Sequence, residues 1–393
     1  MEVNKWKTLL ESISIILLWR SFFQDAKKDG DGNIVWCKMH DLVHDLACSV
    51  AGNECSIMQV NNVLSNPNIS CHLFLELSIP RNLLVHFMCL CVLDLSYANV
   101  NIGLLVSIDL PKHMSKMISL YLEINRYDGL IHMPANIGEL KFLKTLPIFI
   151  VGKDIGCAIR DLQGLNLRGK LTIRNLENVV CAADAQEANL KEKRNLRMLH
   201  FSWGQDIDLN LEGNVEQMLE GLRPHLNLKR LVVKEYVGVR FPLWMSSSLL
   251  PNLVKISLIN CRRCEQLLPL GQLPFLKVLM VQGMDAIKCI DNHFYGNAIT
   301  QGFPSLEKLT FRDMPNLGEW SGFNRREILP RFDQLTVCRC PKLTMLPWLQ
   351  SLIELRLIDS NKMLFGSVEN LTSLSSLWIE GFEELRSLPD GLF

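Results

Sequence analysis

The spacing Leu-x-x-Leu-x-Leu recurs along this chain and fixes what it can fold into. In a strand, alternate side chains point to opposite faces, so the last two apolar residues of each copy look the same way. Clear copies stand at Leu90/Leu93/Leu95, Leu196/Leu199/Phe201, Leu228/Leu231/Val233, Leu253/Ile256/Leu258 and Leu276/Leu279/Val281. Others follow at Leu306/Leu309/Phe311, Phe332/Leu335/Val337, Leu352/Leu355/Leu357 and Leu374/Leu377/Ile379. Weaker ones stand at Met117/Leu120/Leu122, Leu143/Leu146/Ile148 and around Leu171/Ile173. Their middle residues step by 20 to 32 positions, the length range of a leucine-rich repeat. One such unit cannot bury its apolar face alone, and stacking lays the strands side by side in a parallel sheet. The predicted fold is therefore α/β: a leucine-rich-repeat solenoid with a curved parallel sheet on its concave face and an irregular, short-helical convex side. The convex segments carry Leu-Pro, as at Leu268-Pro269, Leu346-Pro347 and Leu388-Pro389.

Composition narrows the partners. The 393 residues carry 41 basic and 41 acidic side chains, a formal net charge of zero, which gives neither nucleic acid nor an anionic membrane a reason to bind. The 13 cysteines are odd in number and many sit in apolar runs such as Met88-Cys89-Leu90-Cys91-Val92, where a free thiol is a small buried hydrophobe. That pattern implies a reducing compartment. The apolar run Ile13 to Trp19 is too short to span a bilayer and lacks a small-residue cleavage site, so the expected location is the cytoplasm.

Four local patterns imitate chemistry. Gly164-Leu165-Asn166-Leu167-Arg168-Gly169-Lys170-Leu171 spells Gly-x4-Gly-Lys but ends in leucine, with no hydroxyl to hold magnesium; it falls in register with the repeats and reads as solenoid. Asp29-Gly30-Asp31-Gly32-Asn33 starts like a calcium loop, yet Ile34 stands where glycine is needed and His40 where glutamate is needed; a polar hairpin turn accounts for it. Cys261 and Cys340 stand three residues beyond the last inward strand position, where a repeat holds an Asn or Cys inside the turn, so core packing is expected over zinc or redox work. His40 and His44 lie at i and i+4, a helical zinc spacing, and a zinc hydrolase built on them is a remote reading. No Ser-His-Asp or paired-carboxylate signature is present, and the chain reads as non-enzymatic.

The segment Cys37-Lys38-Met39-His40-Asp41-Leu42-Val43-His44-Asp45-Leu46-Ala47 resembles the MHD motif of plant NB-ARC/leucine-rich-repeat disease-resistance proteins, coiled-coil class. Arg20-Ser21-Phe22-Phe23-Gln24-Asp25 and Gly32-Asn33-Ile34 look like the end of that family's winged-helix subdomain. Ile148-Phe149-Ile150-Val151-Gly152, Asn166 to Leu171, Leu176-Glu177-Asn178-Val179, Leu222-Arg223-Pro224-His225 and Pro269 to Pro274 are similar to blocks of its repeats. The resemblance implies a winged-helix remnant with the MHD motif over 1–55, a linker or first repeat over 56–75, and a solenoid over 76–393 that ends without a polar capping repeat. It assigns nucleotide contact to Met39, His40 and Asp41, with His40 approaching the β-phosphate of ADP. No phosphate-cradling loop precedes His40, so ADP or ATP belongs to the intact family member and no cofactor to this chain alone. The implied role is sensing of a pathogen effector or host guardee and autoinhibition of an ADP/ATP-dependent NB-ARC switch in defense. NB-ARC and coiled-coil modules would be partners in cis or trans. The alternative is a truncated adaptor or decoy that binds proteins without nucleotide.

Binding by a solenoid defaults to the outward strand positions of its concave side. The repeat register puts Arg197, His200, Lys229, Arg230, Lys234, Lys255, Lys277, Lys308, Arg312 and Arg356 there, with Trp203, Tyr236 and Trp378 on or beside the same strands. Fewer acids oppose them: Glu307, Asp333, Glu354 and Glu380. A basic face with embedded aromatics suits an acidic protein partner.

Overall fold

Burying two apolar side chains per strand, repeat after repeat, is what aligns the strands. The computed structural model describes residues 23–28, 34–39, 55–58, 72–75, 91–94, 117–121, 133, 137–152, 158–204, 215–246, 249–296, 302–321 and 329–382. First comes an antiparallel pair, β1 (Phe23–Lys28) and β2 (Ile34–Met39); the expected turn at 29–33 lies outside the described residues. Next, β3 (Cys55–Met58), β4 (His72–Leu75), β5 (Val92–Asp94) and β6 (Ser119–Tyr121) form a four-stranded parallel sheet. Parallel pairing thus already occurs within 55–75.

The main sheet follows. Its elements are β7 (Ile148–Ile150), β8 (Arg168–Arg174), the short helix α1 (Ala182–Glu187), β9 (Asn195–Ser202), α2 (Val215–Gly221), β10 (Arg230–Lys234), β11 (Lys255–Ile259) and β12 (Val278–Gln282). Then come β13 (Cys289–Ile290), β14 (Lys308–Arg312), β15 (Glu319–Trp320), β16 (Gln334–Cys338), β17 (Glu354–Ile358), α3 (Phe365–Val368) and β18 (Ser376–Glu380). Ten of these strands, β7 to β12, β14, β16, β17 and β18, lie side by side in chain order, while β13 and β15 pair separately. The described parts of the connections are turns and short helices, with β13 and β15 in two of them, and they serve as the crossovers that parallel neighbours need.

Register is uniform. Leu171, Leu199, Leu231, Ile256, Leu279, Leu309, Leu335, Leu355 and Leu377 form one row of direct partners. The second inward row runs two residues further on, from Ile173 and Phe201 through Phe311 to Ile379, and all but the last strand's members are buried. Leu377 and Ile379, on the edge strand, are half-buried. One expectation is corrected. The copy written Leu143/Leu146/Ile148 pairs Phe149, not Ile148, with Ile173. Pro147 has no N–H to give to a ladder; its carbonyl accepts from Thr172 N–H at 2.8 Å, and the inward spacing stretches by one residue around it.

Strand ends share a device. Asn175, Glu235, Asn260, Gly283, Asp313, Arg339, Asp359 and Gly381, each two residues past the second inward position, have φ between 44° and 76°. The left-handed step turns the chain off the sheet while keeping its N–H on the next strand's end. Glu235 N–H donates to Ile259 C=O at 2.8 Å, Asn260 to Gln282 at 2.7 Å, and Asp359 to Glu380 at 2.9 Å. Asn, Asp and Gly tolerate this conformation at least cost. One residue later, Cys261 and Cys340 turn inward and are fully buried. Their thiols donate to Ile259 C=O at 3.6 Å and Cys338 C=O at 3.5 Å. They pack the turns, as expected from their position. The Gly-x4-Gly-Lys stretch is likewise solenoid: Leu165 and Leu167 are buried, and Gly169, φ 75°, sits at a register shift entering β8.

Candidate functional site

The outward face of the main sheet is set by the same alternation that buries the leucines. Its charged positions on β8 to β12 are Lys170 and Arg174 of β8, Arg230 and Lys234 of β10 and Lys255 of β11, with no Asp or Glu; β9 presents Met198, His200 and Ser202 there and β12 presents Val278, Met280 and Gln282. Lys229 and Lys277 precede β10 and β12 in the parity of the buried rows, and Arg197 stands at the register shift of β9, so the alternation does not put these three on that face. From β14 onward the signs mix. Lys308 and Arg312 share β14 with the preceding Glu307, and Asp333, Glu354 and Glu380 appear on or beside β16, β17 and β18. The face is therefore polarised along the solenoid, cationic at β8–β12 and mixed beyond. Lys170 and Arg174 were absent from the residues singled out by sequence, because the β8 copy is weak; the alternation around Leu171 and Ile173 carries the signal.

Contacts sort the remaining positions. Lys277 Nζ lies 2.7 Å from Glu307 and so bridges two repeats. Arg356 Nε lies 2.6 Å from Glu354 of its own strand, and Lys234 Nζ 3.3 Å from Glu235. Arg197 Nη1 donates to Asn227 C=O at 3.2 Å. Exposed pairs of this kind contribute little to stability; they orient the side chains. Trp378 stands 57% exposed on the open face, its indole N–H donating to Glu380 at 3.2 Å. Trp203 and Tyr236 do not join it. Both are at most 2% exposed, packed edge to face at 5.0 Å, with Tyr236 O–H donating to Arg240 C=O at 2.8 Å. They lie past the strand ends, where the chain has turned inward, so they anchor the core instead of the surface.

His200 differs from its neighbours on this face. Its Nε2 is buried and has no hydrogen-bond partner. Burial first, then the charges of Lys170, Lys234 and Arg174, push its pKa from 6.5 down to about 4, with Glu235 opposing. The unfolded chain thus holds a proton that the fold releases between those values. Stability from this group is fully present above pH 6.5 and is lost as pH falls toward 4, a contribution of at most ~3 kcal/mol. Unfolding free energies of the wild type minus those of His200→Gln should show that slope across pH 4 to 6.5. A flat difference would mean His200 is not held neutral by its surroundings.

Of the nucleotide candidates, Met39 ends β2, while His40 and Asp41 lie outside the described residues, as does His44. Among the described residues no group of three His, Cys, Asp or Glu converges as a metal site, and no helix is long and apolar enough to cross a membrane. A cavity of about 520 Å³, lined by Glu265, Asp285, Lys288, Asp291 and Phe294 among others, contains none of the predicted binding residues.

One strand per repeat, paired inward rows and an aligned open face define a leucine-rich-repeat protein, a class that works by protein–protein contact. Residues 159–284 match the family model of R13L1/DRL21 LRRs, and residues 7–47 match the disease resistance protein winged helix domain. Over nearly its whole length the chain is similar to plant disease-resistance proteins. It is 32% identical over 432 residues to the putative disease resistance protein RGA1 of Solanum bulbocastanum, covering 96% of this chain and 42% of that one. The putative disease resistance protein RGA4 of the same plant gives 32% over 435 residues, 96% and 43%. The putative disease resistance RPP13-like protein 1 of Arabidopsis thaliana gives 37% over 251 residues, 58% and 24%. The chain thus spans under half the length of these relatives. A solved TLR13–ssRNA13 complex overlaps 84% of this chain and 63% of its own at a TM-score of 0.28 and 16% identity, a likeness too distant to carry argument.

Proposed function

We propose that these repeats are the recognition and restraint surface of a plant immune receptor, and that the cationic tract on β8–β12 docks an acidic protein surface. The observation that carries this is that β8 to β12 present Lys170, Arg174, Arg230, Lys234 and Lys255 outward and no carboxylate at those positions, in a chain whose total charge is zero. Concentrating one sign on one face steers and selects an oppositely charged partner. In this reading residues up to about 55 close a winged-helix segment and the repeats follow. The partner is a pathogen effector, a host protein that effectors modify, or an acidic surface of the nucleotide-binding and coiled-coil modules. Met39, His40 and Asp41 would meet nucleotide held by that module. The one Gly-x4-Gly-Lys stretch among the described residues is a strand entry with buried leucines, so no part of this reading has the repeats themselves holding ADP or ATP.

Capture from pathogen-challenged leaf extract tests it. Lys170→Glu/Lys234→Glu/Lys255→Glu should lose the proteins that the wild-type chain retains, by at least tenfold. Lys288→Glu/Lys342→Glu, on exposed convex positions, should retain them. Equal capture by both variants contradicts the proposal.

A further inference from the structure

On the convex side the backbone ladder stops beside a cavity. Lys288 C=O accepts from Gly318 N–H at 2.9 Å and from Glu319 N–H at 3.3 Å, and Ile290 C=O accepts from Ser321 N–H at 2.9 Å. Both residues therefore face β15. Successive residues of a strand direct their backbone polar groups to opposite edges, so the N–H and C=O of Cys289 face away from β15, toward the preceding repeat. The chain stays extended at Asp291, φ −116° and ψ −172°, and its N–H shares that edge. Among the described residues no backbone hydrogen bond joins 288–291 to the facing segment 265–267. The cavity of about 520 Å³ is lined by both segments, and its volume is in the ~300–1,000 Å³ range of ligand clefts. Leu267, Ile290 and Phe294 are its buried residues, while Glu265, Cys289 and Asp291 are exposed. Its charged residues are Glu265, Asp285, Asp291 and Lys288. Arg262 lies 3.5 Å from Asp285 and offsets that carboxylate, which leaves the cavity net negative.

We infer that the edge of β13 takes an extended, cationic segment of a partner protein as an added strand. An unpaired strand edge is a template for another chain, and strand addition draws affinity from main-chain hydrogen bonds and specificity from alternate side chains. Cys289 supplies a donor and an acceptor, and Asp291 a second donor. A side chain of the added strand that points inward meets Leu267, Ile290 and Phe294, so an apolar residue suits it. Its two neighbours point outward with Cys289, beside Glu265 and Asp291, so lysine or arginine suits them. An acidic segment would set like charges against both carboxylates. The site lies off the open sheet face, and it stands or falls separately from the docking proposed there.

The test uses the full chain and a blocked pentapeptide alternating arginine and valine. Two controls accompany it: one with glutamate for arginine, one with every backbone nitrogen methylated. Titration calorimetry should show the arginine peptide at least tenfold tighter than either control. It should slow amide exchange at Cys289 and Asp291 and slow alkylation of the exposed Cys289 thiol by iodoacetamide, read by mass spectrometry. Glu265→Lys should weaken binding at least tenfold. Cys289→Pro removes an N–H that only the added strand would use, a change an edge strand tolerates; it should abolish binding at an unchanged melting temperature. If that variant melts lower, Glu265→Lys and the protection of Cys289 decide. Absence of binding overturns the inference, as does binding that survives methylation or Glu265→Lys and leaves Cys289 unprotected. A dimer of the wild-type chain that Cys289→Pro dissociates would assign the edge to a second copy and overturn the partner segment.

Discussion

Replacing Gly271 with alanine should cost the repeat region ~3 kcal/mol or more. Gly271 sits in the turn Leu270–Gln272, packed on the turn Asn292–Tyr295 of the next repeat. A Cβ there would lie 2.2 Å from Tyr295 O and 2.6 Å from its carbonyl carbon. Both are backbone atoms, so no rotamer change relieves the clash and the two turns must part. They are tied on both sides. Gly271 C=O accepts from Phe303 N–H, and Gln272 Nε2 donates to Gly296 C=O at 2.7 Å. Tyr295 is held in turn by Trp320, whose indole N–H donates to its hydroxyl at 2.7 Å. Gly366 is the control: a Cβ there meets nothing within 4 Å, and Gly366→Ala should be neutral or stabilise by up to ~1 kcal/mol. Urea unfolding with hydrogen exchange at Phe294 and Tyr295 reads both. Equal midpoints for the two variants would mean the turns are not packed this closely.

Trp244→Ala should be as damaging. Trp244 is fully buried in the turn Leu243–Met245, 6.4 Å edge-on from Phe201. Its indole N–H donates to Leu219 C=O of α2 at 3.0 Å. Truncating a buried tryptophan costs roughly 3–5 kcal/mol through lost burial and the cavity left behind. The carbonyl of Leu219 keeps its bond from Leu222 N–H at 3.2 Å, so losing the indole adds only about 0.5–1.5 kcal/mol. Trp244→Phe keeps most of the volume and isolates the hydrogen bond, so it should lose only about 0.5–1.5 kcal/mol. Amide exchange in α2 should accelerate far more in the alanine variant. If both variants destabilise equally, the indole hydrogen bond and not packing dominates this site.

The inward rows were legible in the sequence because side-chain alternation has a period of two and one face is wholly apolar. From Leu171 to Leu377 every middle residue read from the pattern is a direct partner of the next. Three features were not legible there. Pro147 shifts the inward position to Phe149 through a missing N–H, which hydrophobicity does not encode. The left-handed steps at Glu235 and Arg339 use residues with no preference for that conformation; Arg339 is held by its Nε donating to the Asp313 carboxylate of the preceding repeat. Trp203 and Tyr236 resemble surface anchors by proximity to the strands, yet the chain has already turned inward at both.

The docking face was only half legible. Pooling outward residues over all strands suggested a uniformly basic surface, and the division between β8–β12 and the mixed strands beyond emerged once register placed each charge beside its neighbours. Lys170 and Arg174 came from the same step, and without them His200 is an isolated imidazole on a strand.

Zero-length carbodiimide crosslinking of the chain to the proteins it retains from challenged leaf extract, read by mass spectrometry, tests the central claim most directly. This chemistry joins a lysine only to a carboxylate in contact with it. The account predicts crosslinks from Lys170, Lys234 and Lys255 to acidic residues of the partner. Crosslinks confined to Lys288, Lys342 and Lys362, exposed positions off the open sheet face, would contradict it.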